Sequence, residues 1–286
     1  MALGDIIPDL WSAKLLVALR KNAVGVSLCN RDYEGEIRRQ GDSVKITSID
    51  NVTISDYVQH ADLSVEALGD ATRSLLIDKA KSFAFSVERI EQVQAVAGSS
   101  AIDQGLDNAS YQLADVADAI ILDAINDAAE TTGNDLGTIA VHTTAQNLYD
   151  AFVDLNKVLS DNNVPKSGRY AVVSPAIMAR LTKLNLLVGA GDGLGADVRT
   201  SGWVGRLAGL DIYESNNLPA VTDAAATGGL VIAGHRIATT YADQIVETSK
   251  VPMERRFADL VKGLHVYGVK VTRPTAVAKV EFDATA

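Results

Sequence analysis

Residues 202 to 220, GWVGRLAGLDIYESNNLPA, place glycines at 202, 205 and 209 ahead of a short apolar run, a composition that can wrap a phosphate. Phosphate chemistry needs more than glycine. A Walker loop follows its last glycine with Lys and Ser or Thr, and a dinucleotide fingerprint has a strand before its glycines and a helix after them. No Lys-Ser or Lys-Thr pair follows Gly205 or Gly209, and GLDIYES reads as a strand. Gly205 and Gly209 are therefore expected to serve the backbone. They let the chain turn sharply out of the glycine-rich stretch 189 to 202, which is expected to be a mobile loop, and into a strand where a Cβ would clash or demand an unfavourable φ.

Other reactive residue types are as unpromising for catalysis. The chain contains no HExxH and no GxSxG, and the histidines at 60, 142, 235 and 265 lack ligand-type spacing. Asp103, Asp107, Asp115, Asp118 and Asp123 form an acidic series, but carboxylates spread around a helix read as a solvated face rather than a metal site. Cys29 is the sole cysteine, so neither an internal disulfide nor a Cys-based zinc site is available, as expected for a chain made in a reducing cytosol. The sequons at Asn51 and Asn108 have no consequence without a secretory signal, and none is visible: Asp5 and Pro8 interrupt the first residues. The most apolar segment, 117 to 125, is broken by Asp118 and Asp123, so no membrane span is expected. No cofactor or metal is expected either.

The elements that must position these residues are legible from periodicity. Val44, Ile46, Val52 and Ile54 fall at even positions, and Leu75, Ile77, Phe83, Phe85 and Val87 at odd ones, the period of strands. With the polar stretch 60 to 71 between them they read as a long hairpin. A two-stranded ribbon cannot bury both faces by itself, so its apolar side must rest on another domain or subunit. Ile102, Leu106, Ala109, Leu113, Val116 and Ile120 recur at helical spacing after Ser99 and Ser100, predicting an amphipathic helix over 99 to 129. A second helix is predicted over 143 to 163, a buried strand at YAVVSP, and a third helix opened by Pro175. The segment 229 to 250 reads as strand, helical turn and strand, and residues 11 to 23 as a short helix within an irregular start. The fold class is α+β.

The net charge of −10 argues against a protein that grips nucleic acid through phosphates, since Arg38-Arg39 and Arg255-Arg256 are too short for a basic stripe. An acidic surface suits a cytosolic enzyme, and equally a container that must not adhere to enclosed DNA.

The tail narrows the choice. Residues 254 to 282 contain the run E-RRF-D-V-G-YGVKVTRPTAVAKVEF, and Gly205 to Leu210, Ser215 to Pro219 and Arg273 to Val277 supply the segments GRLAGL, SNNLP and RPTAV. Together they resemble the C-terminal half of tailed-bacteriophage major capsid proteins of the Hong Kong 97-like fold, and the elements read above fall in that family's order. The resemblance implies an N-terminal arm over 1–40, an E-loop β-hairpin over 41–96, a peripheral domain with a long spine helix over 97–139, an axial domain over 140–262 and return strands of the peripheral domain over 263–286. It also implies a protein with no enzymatic role that self-assembles through pentamers and hexamers into an icosahedral virion shell around double-stranded DNA. The implied partners are further copies of itself, a scaffolding protein and a portal, with assembly in the bacterial cytoplasm. Arg73, Lys79, Lys81, Gly205, Arg206, Gly209, Glu254, Arg255, Arg256 and Arg273 are the expected subunit contacts. One branch of the family cross-links Lys to Asn, but residues 254 to 274 contain no asparagine, and that chemistry is not expected. An encapsulin-like compartment around cargo enzyme would share every element, and a soluble enzyme of unknown chemistry would instead require a pocket with a perturbed acid or base.

Overall fold

The computed structural model describes residues 23–32, 43–49, 70–88, 100–140, 145–183, 203–221 and 229–283, with single positions 54, 56, 59 and 62. The expected helix at 11–23 and the loop at 189–202 lie, apart from residue 23, outside them. The elements run α1 (Gly25–Leu28), β1 (Ser43–Ile49), β2 (Asp70–Leu76), β3 (Lys79–Glu88), α2 (Ser100–Thr132), β4 (Asp135–Ala140), α3 (Ala145–Asp161), β5 (Arg169–Val173), α4 (Pro175–Lys183), β6 (Trp203–Leu207), β7 (Leu210–Glu214), β8 (Gly229–His235), β9 (Thr239–Pro252), β10 (Ala258–Val271) and β11 (Val277–Asp283).

Three sheets organise them. A six-stranded sheet of order β4-β11-β8-β5-β7-β6 carries the main core, a three-stranded sheet of order β3-β10-β9 forms a long blade, and among the described residues β1 pairs with β2 alone. β5 and β8 are buried nearly throughout, as strands covered on both faces must be. On the helices, Leu148, Phe152, Leu155 and Leu159 of α3 and Ile177 and Leu181 of α4 turn into this core. Both long helices end in Schellman turns. At α2, Gly133 takes φ 75° and the amides of Gly133 and Asn134 donate to Glu130 and Ala129; at α3, Asn163 takes φ 56° and the amides of Asn163 and Val164 donate to Ser160 and Leu159.

The odd-numbered apolar residues of 71–87 do not form one hairpin strand. β2 pairs antiparallel with β1, with Ser43 opposite Leu76, and two residues later β3 has joined β10 instead. Leu75 and Ile77 are buried against Ala242 and Val266, which fixes the ribbon's base to the blade. The junction leaves no space beneath it: a Cβ at Gly268 would lie 2.5 Å from the Leu76 carbonyl oxygen and 2.8 Å from Ile77 Cδ1. Gly268→Ala is expected to destabilise the subunit by about 1–3 kcal/mol through overpacking, read as a lowered denaturant midpoint. An unchanged midpoint would mean the ribbon base moves aside freely.

Sheet pairing also crosses the division expected at 262/263. β10 is one strand from 258 to 271, paired on both edges within the blade, while β11 inserts between β4 and β8 of the six-stranded sheet. The last strand thus completes the sheet of the central segment rather than returning to the blade.

The helical stripe of α2 is partitioned along its length. Leu106, Ala109 and Leu113 are only half-buried and Val116 is exposed, whereas Ala117, Ile121, Leu122, Ile125 and Ala129 are fully buried. The first half lies along the blade, where Phe85 of β3 meets the backbone at Gly105, and the second half enters the main core.

Candidate functional site

Among the described residues no group of three or more His, Cys, Asp or Glu could hold a metal ion, and no helix is long and apolar enough to cross a membrane. His235 hydrogen-bonds the Ser167 carbonyl at 2.7 Å, and His265 meets Asp243 at 3.2 Å inside the blade. Cys29 is buried, and desolvation followed by the Asp118 charge pushes its thiol up to about 12, far from a nucleophile's range.

The glycine-rich segment is a hairpin, not a cradle. β6 and β7 are antiparallel and joined by Ala208 and Gly209, both at positive φ, 49° and 85°, the requirement of a type I′ turn. Asn156 of α3 donates its amide to the Ala208 carbonyl at 2.8 Å. Gly205 does not make this turn; it sits buried within β6 at the register shift opposite Ile212, with φ 157°. Arg206 pairs with Asp211 across the hairpin at 2.9 Å.

The remaining expected contact residues occupy three separate places. At the ribbon base, Arg73 donates from its guanidinium to the Thr272 carbonyl of its own chain. Along β3, Lys79 pairs with Asp78 at 3.3 Å and Lys81 lies exposed opposite His265. Arg273 is exposed at the start of the short 3-10 turn 274–276. Glu254, Arg255 and Arg256 form the tip of the β9–β10 hairpin with Phe257, which sequence reasoning did not single out. Phe257 is 84% exposed and Val251 44%. Residues 252 to 257 enclose a shallow concavity of about 310 Å³.

Two buried polar assemblies also escaped the sequence. Asp118 is not on a solvated face: it is fully buried and accepts the Gly25 amide at 2.5 Å and the Asn217 amide at 2.9 Å, and Asn217 also donates to Asp115 at 2.6 Å. Lys279 of β11 is buried among Asp135, Glu130 and Glu281 at 3.2, 3.4 and 3.5 Å. Both lie inside the subunit.

The sequence matches the family model described as phage capsid protein over residues 70–280. The chain belongs to this family. The capsid protein is similar in structure to a chain from Mycobacterium phage Che8, with 30% identity, 98% of each chain covered and a TM-score of 0.71. It also matches a chain titled as the capsid structure of cyanophage P-SCSP1u at 17% identity, covering 98% and 94% of the two chains with a TM-score of 0.71. A third match is to the asymmetric unit of the bacteriophage PhiM1 mature capsid, at 19% identity, 88% and 87% coverage and a TM-score of 0.64. No curated protein matches. The capsid protein is a major capsid protein of the Hong Kong 97-like kind, a structural subunit of the virion shell in a non-enzymatic family, and it works by associating with copies of itself.

Proposed function

We propose that the subunits associate as pentamers and hexamers into an icosahedral shell around double-stranded DNA, with a separate scaffolding protein and a portal in the bacterial cytoplasm. In this reading the six-stranded sheet with α3 and α4 is the axial domain, α2 with the three-stranded blade is the peripheral domain, and the β1–β2 ribbon is the E-loop, lying over a neighbour. The segment 23–32 belongs to the N-terminal arm, 1–40.

The observation that carries the reading is the β9–β10 tip, where an exposed phenylalanine stands beside two exposed arginines on a chain of net charge −10. Copies of so acidic a chain repel, and a cationic, aromatic tip is the kind of group that anchors an interface against that repulsion. The ribbon adds to it, because a two-stranded sheet is marginal until something covers its apolar side. Arg73, Lys79, Lys81, Arg206 and Arg273 take the role of supporting charges around these anchors. In this reading the shell holds DNA by enclosure, without sequence-specific contacts.

Arg255→Glu combined with Arg256→Glu is expected to abolish closed shells in negative-stain images while the circular dichroism and melting of the subunit stay as in the parent. Each broken anchor removes on the order of 2 kcal/mol at every copy, and the loss is multiplied around the shell. Shells of normal yield from this variant would remove the tip from the interface. A parent chain that stays monomeric even with host lysate would remove the assembly scheme itself.

A further inference from the structure

Three elements far apart in sequence meet at one carboxyl group. Asp118 lies midway along α2, Gly25 opens α1 in the N-terminal segment, and Asn217 follows β7 in the SNNLP turn, whose own geometry is set by the Asn217 amide donating to Ser215 Oγ at 3.1 Å. The approach at Gly25 is close: a Cβ there would lie 2.9 Å from Asp118 Oδ1 and 3.2 Å from Ile121. Val24 and Leu28 flank the contact, buried with Leu122, Tyr170 and Val172. Farther on, the amide of Asn30 donates to the Thr239 carbonyl, and Arg31 pairs with Asp243 at 3.2 Å. Residues 24 to 31 are thus laid over Asp118 as a cover.

The carboxyl is held by dipoles and not by a cation. The titratable groups set against it are Asp115, one turn earlier on its own helix, and Cys29 on the covering segment; Cys29 in turn has Tyr170 of β5 and Arg31 beside it, and Arg31 is engaged with Asp243. Covering an ionised carboxylate with apolar side chains removes its hydration, and the neighbouring Asp115 adds like-charge repulsion. With the segment lifted, water reaches Asp118 and this cost disappears.

We propose that residues 24–31 form a proton-coupled clasp, in which seating the segment over Asp118 takes up a proton, so that it closes more tightly as the medium acidifies and loosens as it becomes alkaline. A neutral carboxyl still accepts the Gly25 amide through its carbonyl oxygen, while its protonated oxygen is a weaker acceptor for Asn217; that partial loss is set against relief of the burial cost and of the Asp115 repulsion. The direction of Asp118 agrees: burial, opposed by the Gly25, Asn217 and Val24 donors, raises its pKa above the ordinary carboxylate value, with Asp115 adding to the rise. A group that binds its proton more tightly in the closed state makes closure more favourable as pH falls through the raised value. The gain is complete once pH is below the ordinary value near 4.

Cys29 provides the probe, because it is the sole cysteine and is buried under the same segment. Its labelling by a thiol reagent in the folded full-length chain, divided by the rate in the denatured chain at the same pH, measures opening. The expected protection rises as pH is lowered through the raised value toward the ordinary carboxylate value near 4, by at most about tenfold per pH unit for one proton. Asp118→Asn should flatten this profile, and Asp115→Asn should move its midpoint to lower pH while the segment stays closed. Protection that falls on acidification, or parallel profiles in parent and Asp118→Asn, would overturn the clasp. If Asp118→Asn does not fold, an Asp115→Asn profile superimposable on the parent's has the same force. The clasp is a property of the single subunit, so its failure leaves the assembly scheme standing.

Discussion

Lys279→Met is expected to destabilise the subunit by about 3–5 kcal/mol, the usual consequence of removing one partner from a buried charge cluster. Lys279 and Glu281 are 1% and 4% exposed, so neither charge can turn to water when the other is lost. Burial alone would lower the ammonium's pKa, but the hydrogen bond it donates to Asp135 and then the charges of Asp135, Glu130 and Glu281 outweigh it, and the net direction is upward. The sign follows: this contribution is fully present below the unfolded lysine value near 10.4 and fades only as pH rises through the higher folded value. The difference in denaturant midpoint between parent and Lys279→Met should therefore persist through neutral pH and narrow only under strongly alkaline conditions. Pairing Lys279→Met with Glu281→Leu should recover part of the loss, because an apolar pair of similar volume avoids the desolvation of both charges. A single variant as stable as the parent would mean that Glu281 relaxes to solvent despite its burial.

The same strand shows why the sequence revealed some features and hid others. VAKVEFD reads as a strand, and it is one, but alternation would put Lys279 and Glu281 on a wet face. β11 instead lies between β4 and β8, covered by α2 and α3, and only knowledge of its two neighbours reveals that both charges are interior. The amphipathic helices α2 and α3, the buried strand β5 and the proline at the start of α4 were legible because each obeys a local rule of period or capping. The break between β2 and β3 was not, since the odd-numbered apolar residues run through Ile77 and Asp78 without a change of phase. That break is made by tertiary contact with Gly268. Asp118 was misread as solvated for a related reason: the covering segment at 24–31 lies some ninety residues upstream, and nothing in the helix's own sequence marks its arrival. The surface tip was half legible. Its paired arginines stood out by charge, while no local pattern marks Phe257 beside them as exposed.

Arg169→Met is the second large effect expected, about 3–5 kcal/mol, from the hydrogen bonds it strips at the end of α3. The guanidinium is buried and donates only to neutral oxygens: the carbonyls of Pro165 at 2.9 Å, Asn156 at 3.1 Å and Val164 at 2.5 Å, Ser160 Oγ at 2.9 Å, and Asn156 Oδ1. Two of these five acceptors, the carbonyls of Val164 and Pro165, lie just beyond the C-terminus of α3, where a cation also meets the negative end of the helix dipole. Desolvation lowers the guanidinium's pKa from its ordinary value, yet a group that starts so high stays charged at any pH the virion meets. Each acceptor left dry by the truncation costs about 1–3 kcal/mol, offset in part by water entering the space. Arg169→Lys should recover only a minority of the loss, because one ammonium cannot span carbonyls that a planar fork reaches together. The damage should also travel. Asn156 links Arg169 to the β6–β7 turn through its bond to Ala208, so amide exchange at 208–210 should quicken in Arg169→Met more than at the distant β9–β10 tip. Uniform quickening at both places would instead show that α3, the turn and the blade unfold as a single unit.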